Sequence, residues 1–543
     1  MVVANRLGSR HGITVLVLEA GPLDDAGETV TVPALIGQDL WTKYDWSFTT
    51  TAQTFLDNRR RDFNSGRAVG GSSILNGLIW TRGAKADYDA WEALGNRNWG
   101  WDGLEPFFEK EWNITTPLPK PKAPGHGFDG PVQVAYPNFR YEQSDNFLQG
   151  VTSLGVPLLE DPNLGVGAGA STFPSSMHWL YQDRSDARRA YFKAEDPSLH
   201  VATEQTVTRI LLEKVNATTS HHAPFGYARR AVGVEFASTD GTRRNVTCSK
   251  EVILAAGALV SPALLQVSGI GPAELLRSIN VTVEIDLPGV GENLQDHPVV
   301  PAFYNYSNSS VFTSRNLTGS NLRFAHDLYR TNHTGPLKAP LISTLAFLPL
   351  NLLTPNFTAL LAQASASSPA HYLSNTTRHH PNVVAGYALQ RRIQLSLLKF
   401  PSTAAAEIMA DSIGTLSASA VRPLSRGSVR ALSADIFPPS AKTITIDPRY
   451  CSHPSDCAVL VSALQFNSRL VSTSAMSPLQ PSTAYPWVAP PPGDETIPEE
   501  ESSRLQRAVA ENLRTGFHPC GTTAMMPLAL GGVAEPALRV YGR

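Results

Sequence analysis

The chain has 543 residues, enough for two to four domain-sized units around a large core. Its 45 Lys and Arg nearly balance 47 Asp and Glu, a net charge of −2, which argues against a surface built for nucleic acid or another polyanion. Charged residues make up 17%, against about 25% in a typical soluble domain, and the composition is neither that of a disordered chain nor that of a coiled coil.

From the amino end, Val2, Val3, Ala4 and Leu7 fall at helical spacing and Gly8 ends the helix. Residues 14–18 (TVLVL) follow as a strand buried on both faces, ending at Glu19 and the turn residues Gly21 and Pro22. An acid at the carboxyl end of such a strand is how dinucleotide-binding folds grip a ribose hydroxyl. Residues 66–77 (GRAVGGSSILNG) cluster glycines with small hydroxyls, which lets a backbone come close to a flat or phosphorylated ligand. Residues 116–127 are a Pro-rich surface loop, and 206–212 and 231–236 are strands, the second running into a turn at 239–242. Residues 251–256 (EVILAA) predict another buried strand, with a helix over 261–267.

The apolar stretches 252–267 and 340–353 are broken by Ser261, Pro262 and Pro349 and are shorter than the ~20 residues of a membrane span, so no transmembrane helix is expected. Residues 421–430 predict strand and turn, 457–470 a helix and 488–501 a loop. The four cysteines (Cys248, Cys451, Cys457, Cys520) show no CxxC spacing, and no metal site is expected; Cys451 and Cys457, six apart, could pair. Asn-x-Ser/Thr acceptors stand at Asn113, Asn216, Asn245, Asn280, Asn305, Asn308, Asn316, Asn332, Asn356 and Asn375. That is ten of 25 asparagines, where chance gives about four, an excess that predicts a glycoprotein of the secretory pathway. Six of the ten lie between 305 and 380, which places that stretch on an exposed part of a second domain. Met1 is followed at once by VVANRLG, with no signal peptide.

In order, these segments resemble the glucose-methanol-choline (GMC) family of flavin-dependent oxidoreductases over nearly the whole chain, and fungal secreted members most. Residues 66–82 match the family's first signature and 257–271 (GALVSPALLQVSGIG) its second; 287–297 (LPGVGENLQDH) and 518–522 (HPCGT) complete the series. The resemblance implies an α/β fold with a discontinuous FAD-binding domain (1–44, 194–300 and 505–543), a lid and flavin-facing extension (45–115), and a substrate domain on an antiparallel sheet (116–193 and 301–504). It implies that Glu19 accepts from the adenosine ribose of FAD. Val69, Gly70, Gly71, Ser72, Asn76, Gly77 and Leu78 would lie against the flavin and its pyrophosphate, and Val207 would read the adenine edge through its backbone. His518 is the implied catalytic base, taking the proton of an alcohol as hydride passes to flavin N5, with oxygen or another acceptor taking the electrons. Other members of the family catalyse redox-neutral cyclisation or lyase reactions, so a lyase, a cyclase or a non-catalytic remnant are the alternatives.

Two family pieces are not found. The strand and Gly-x-Gly-x-x-Gly turn that lead into the first helix are absent, and so is the second catalytic His or Asn, which would follow Arg543. The expectation is a chain clipped at both ends, with poor folding and weak FAD binding.

Overall fold

The computed structural model describes residues 1–114, 125–215, 229–482 and 499–542. Most of the Pro-rich loop at 116–127, the acceptor Asn216 and most of the loop at 488–501 lie outside the described residues. Residues 499–501 are helical instead of loop, being the first turn of a later helix.

Helix α1 (Val2–Gly8) packs on β1 (Val15–Leu18) and β2 (Leu199–Ala202), which run parallel from Val15 beside Leu199 to Leu18 beside Ala202. Ser198 Oγ donates to the Gly8 carbonyl at 2.8 Å and closes the end of α1. β1 has one ladder neighbour among the described residues, and Leu16 is 47% exposed. The expected burial on both faces is therefore not found: an apolar strand is covered only where a neighbour lies against it. Three antiparallel strands follow, β3 (Gln205–Lys214), β4 (Arg229–Ser238) and β5 (Arg243–Thr247), and the expected turn joins the last two.

Residues 251–256 correct the sequence expectation, for they join no ladder among the described residues and Ile253 is 45% exposed. A β-branched run supplies the propensity for a strand, but the strand itself needs a hydrogen-bonded partner. The helix after it, α2 (Gly257–Val267), starts four residues earlier than predicted and carries Pro262 inside.

The second half of the chain is built on a mixed layer whose six-stranded antiparallel sheet holds β6 (Pro298–Phe303), β7 (Thr344–Pro349), β8 (Ala404–Ala410) and β9 (Thr415–Ala420). A long helix, α3 (Pro454–Val471), and α4 (Glu499–Asn512) precede the short edge strand β12, numbered after the hairpin of β10 (Ser428–Ala431) and β11 (Ile444–Asp447); β12 is Arg514–Thr515. The order across the sheet is β12, β6, β9, β8, β7 and then Gly169–Thr172. Alternation sends Val300, Ala302, Ala346, Leu348, Ala406, Ile408, Leu416 and Ala418 into the core, against α3. The opposite residues, among them Val299, Phe347, Glu407 and Ser419, share the other face.

The sequon-rich stretch is not wholly exposed, since β7 lies inside it and is a buried inner strand; Asn316, Asn332, Asn356 and Asn375 are exposed. Cys451 and Cys457 form a disulfide that ties the turn after Tyr450 to the first turn of α3. Among the described residues no helix is long and apolar enough to cross a membrane.

Candidate active site

β1 delivers Glu19 to a crossing of three segments. Its Oε1 accepts from the Gly21 N–H at 2.8 Å, and its backbone carbonyl accepts from Gln205 N at the start of β3, the strand that carries Val207. Burial pushes the Glu19 carboxyl up to about 7, against the pull of that hydrogen bond and of Arg67. A Cβ on Gly21 would stand 2.0 Å from the Arg67 carbonyl, so only glycine lets β1 and the glycine turn meet. Val69 N then donates to Pro22 O at 3.1 Å.

The turn presents backbone. Val69 and Leu78 are buried, so their side chains anchor the turn and leave only their peptides for a ligand. Gly70 has a φ of +103°, and a Cβ on Gly71, Gly77 or Gly257 would meet nothing within 4 Å. Ser72 lies inside the helical turn Gly71–Ile74, whose N-cap is Gly70, and so does not cap it; its Oγ accepts from Gly66 N at 3.0 Å. Asn76 Oδ1 accepts from Leu78 N at 3.2 Å and from Arg184 Nη1 at 2.7 Å. Gly71 and Gly77 facing open space, exposed Ser72 and Asn76, and a strand-end carboxyl fit a flat group carrying phosphates and a ribose, as FAD does. Among the described residues no cluster of three or more His, Cys, Asp or Glu is placed to hold a metal.

The structure brings Glu19, residues 69–78 and the β3 strand of Val207 together. His518 stands apart from them, in a second cluster where residues 292–297, 421–430 and 514–522 meet. Gly516 N donates to the His297 carbonyl at 2.7 Å, and Gln295 and Cys520 exchange both backbone bonds at 2.9 Å. Pro262 has no N–H to give to the carbonyl of Ala258, four residues back in α2. Thr522 Oγ1 donates to that carbonyl instead, at 2.6 Å, which satisfies the freed acceptor and locks the 518–522 loop onto α2.

Asp296 fixes the backbone of His518. Its Oδ1 accepts from His518 N at 2.8 Å and its Oδ2 from Thr515 Oγ1 at 2.6 Å and from the Tyr450 hydroxyl. Burial raises the Asp296 carboxyl, and these donors oppose the rise. Phe517, just before His518, holds a left-handed φ of +61°, a strained conformation for a bulky residue that turns the chain toward the imidazole.

The side chain of His518 faces that of His297, Nδ1 to Nδ1, at 3.0 Å. Burial holds the His518 imidazole below its ordinary value, and burial with His518 nearby pushes His297 down to about 3, so both rings are neutral at pH 7. The backbone of Val421 opposes that downward push on His297. A neutral imidazole carries one N–H. One of the two rings therefore donates from Nδ1 across the contact, and the ring that donates keeps its Nε2 as a free base.

Sequence reasoning singled out His518 and gave no role to His297, Asp296 or Tyr450. The 287–297 motif ended on His297, so a signal existed; what it lacked was the pairing with a residue 221 positions away.

GMC oxidoreductase family models match residues 14–299 and 423–543. Dehydrogenase xptC of Emericella nidulans is 33% identical over all of this chain and 85% of its own length. The solved FAD-dependent oxidoreductase from Chaetomium thermophilum is 31% identical with a TM-score of 0.89, over 99% of this chain and 90% of that one. A fungal aryl-alcohol oxidase structure is 27% identical with a TM-score of 0.86, over 99% and 90%. The chain belongs to the GMC oxidoreductase family and is an FAD-dependent oxidoreductase.

Proposed function

We propose that the chain oxidises the hydroxyl-bearing carbon of a small alcohol, with His518 as the base. FAD, held by Glu19, the peptides of 69–78 and the β3 backbone at Val207, supplies the two-electron acceptor when bound. The carrying observation is the imidazole pair, Nδ1 to Nδ1 at 3.0 Å; with His518 as the donor in that contact, its Nε2 meets the substrate with its lone pair free. Neutrality suits the task, because a ring held neutral by its surroundings accepts a hydroxyl proton without first losing one. Asp296 keeps the base in place through the His518 N–H, so proton transfer does not wait on loop motion. Oxygen or another small acceptor then takes the electrons. The test is turnover: purified, flavin-loaded protein is given a panel of primary and secondary alcohols, and aldehyde or ketone is measured with oxygen and with a dye as acceptor. Carbonyl product that depends on His518 supports the reading, and none from any alcohol rejects it.

We also infer passage through a secretory pathway. Exposed acceptors at Asn245, Asn280, Asn316, Asn332, Asn356 and Asn375, and the Cys451 to Cys457 disulfide, support it. Protein purified from its native host that shows no mass shift on enzymatic deglycosylation would reject it.

A further inference from the structure

Arg184 is buried, 2% exposed, and ties separate segments of the site together. Its backbone N–H donates to the Thr31 carbonyl at 3.0 Å and its Nε to the Val30 carbonyl at 2.7 Å. Its Nη1 donates to the Ser73 carbonyl at 3.0 Å and to Asn76 Oδ1 at 2.7 Å. Ala187 N adds a bond to Ser73 Oγ at 3.0 Å, and that hydroxyl donates to the Gly70 carbonyl at 2.7 Å. Burial lowers Arg184 to about 10, with Asp186 the first of the carboxylates opposing the fall, so the guanidinium is charged at pH 7.

These contacts decide which end of the Asn76 amide is left for a ligand. Leu78 N reaches the same side-chain atom, at 3.2 Å. A guanidinium and a peptide N–H can only donate, so the amide atom they share is the carbonyl oxygen. The NH2 group is the free end, on an exposed residue, and it donates to no group among the described residues. An aspartate would serve Arg184 and the Leu78 N–H better, because both of its oxygens accept and its charge would pair with the guanidinium. What only asparagine adds is a pair of donors at the free end, and donors need acceptors. FAD is rich in them: its pyrophosphate oxygens and its flavin carbonyls accept hydrogen bonds and give none.

We propose that Arg184 is a positioning residue for FAD: it locks the amide of Asn76 so that its N–H donors, and not its carbonyl, meet an acceptor oxygen of the cofactor. This rests on the reading above that FAD lies against residues 69–78. The same guanidinium holds Val30, so the glycine turn and residues 28–31 are fixed in one arrangement before FAD arrives. A donor set in advance spares the ordering that a freely turning amide would undergo on binding.

The test measures FAD affinity by fluorescence titration of the FAD-free chain, with its melting temperature as the monitor of folding. Asn76→Asp keeps the Arg184 contact and loses the donors, so it should bind FAD at least about tenfold more weakly while melting no lower than the parent. Arg184→Met should weaken FAD by about tenfold, but by no more than about twofold once Asn76 is alanine, because it acts through that side chain. Arg184→Lys, which keeps a charged donor, should recover part of the loss, and it replaces the methionine variant in the cycle if that one does not fold. A lower reduction potential of bound FAD in Asn76→Ala assigns the acceptor to the flavin ring and an unchanged one assigns it to the pyrophosphate, both in agreement with the lock. Parent-like FAD affinity in Asn76→Asp, or an equal loss from Arg184→Met in both backgrounds, overturns it. Gly77→Val then separates the two failures. If it too binds FAD like the parent, the reading that FAD lies at the turn has failed; if it binds weakly, only the lock has.

Discussion

His297 and His518, 221 residues apart in the chain, face each other through their Nδ1 atoms at 3.0 Å with their rings nearly perpendicular, at 88°. In the proposed mechanism His518 donates across this contact, which makes its Nε2 the basic nitrogen and His297 a positioning residue. His297→Leu removes the acceptor, lets His518 adopt either tautomer, and is expected to lower kcat by roughly 10- to 100-fold with little change in KM. His297→Asn, whose carbonyl can accept from Nδ1–H, should recover part of the loss. Steady-state kinetics of both variants, with flavin content measured, checks this; equal kcat in the leucine variant and the parent would contradict it.

The pH dependence follows from the depressed imidazole. A base works only while neutral, and burial keeps His518 neutral below the ordinary histidine value of 6.5. Activity is therefore present above that value and persists as pH falls through it, the acid limb of kcat lying below 6.5. A pH–rate profile whose acid limb sits at or above 6.5 would show that the ring is not held neutral.

The cradle can be probed without disturbing the fold. Gly77 has no positive φ, and a Cβ there meets open space, so Gly77→Val should leave the melting temperature of the FAD-free protein within a few degrees. The valine would occupy the space of the ligand, and FAD should bind at least tenfold more weakly. Unchanged FAD affinity by equilibrium titration would mean that the cofactor lies elsewhere.

Glu19 gives a second handle on the cofactor. Loss of a charge-assisted hydrogen bond costs about 1.5–3 kcal/mol, so Glu19→Ala should weaken FAD binding by roughly 10- to 100-fold. The FAD-free carboxyl, raised to about 7, is mostly protonated at pH 6 and ionised at pH 8, and the ionised form is the better acceptor for ribose hydroxyls. FAD affinity should therefore rise over that interval, and Glu19→Gln should abolish the rise.

Local chemistry carried the sequence reading and long-range pairing limited it. The glycine turn at 66–77 and Glu19 were legible because glycine and a strand-end acid act within a few residues. The Cys451 to Cys457 pair was legible for the same reason. Residues 251–256 read as a strand from β-branched side chains, yet pairing decides a strand, and propensity says nothing of the partner. The Thr522 hydroxyl that replaces the N–H missing at Pro262 was invisible because its acceptor lies 264 residues away. Glu407 was hidden likewise: only the register of β8 against β9 shows it facing away from the core and beside Ser419.

The most direct test of base-assisted alcohol oxidation is anaerobic rapid mixing of the flavin-loaded chain with an alcohol substrate, following the visible absorption of the flavin. The expected result is bleaching at a rate that saturates with alcohol and falls at least a hundredfold in His518→Ala. Product formed while the flavin band stays unchanged, or bleaching at the parent rate in His518→Ala, would contradict it.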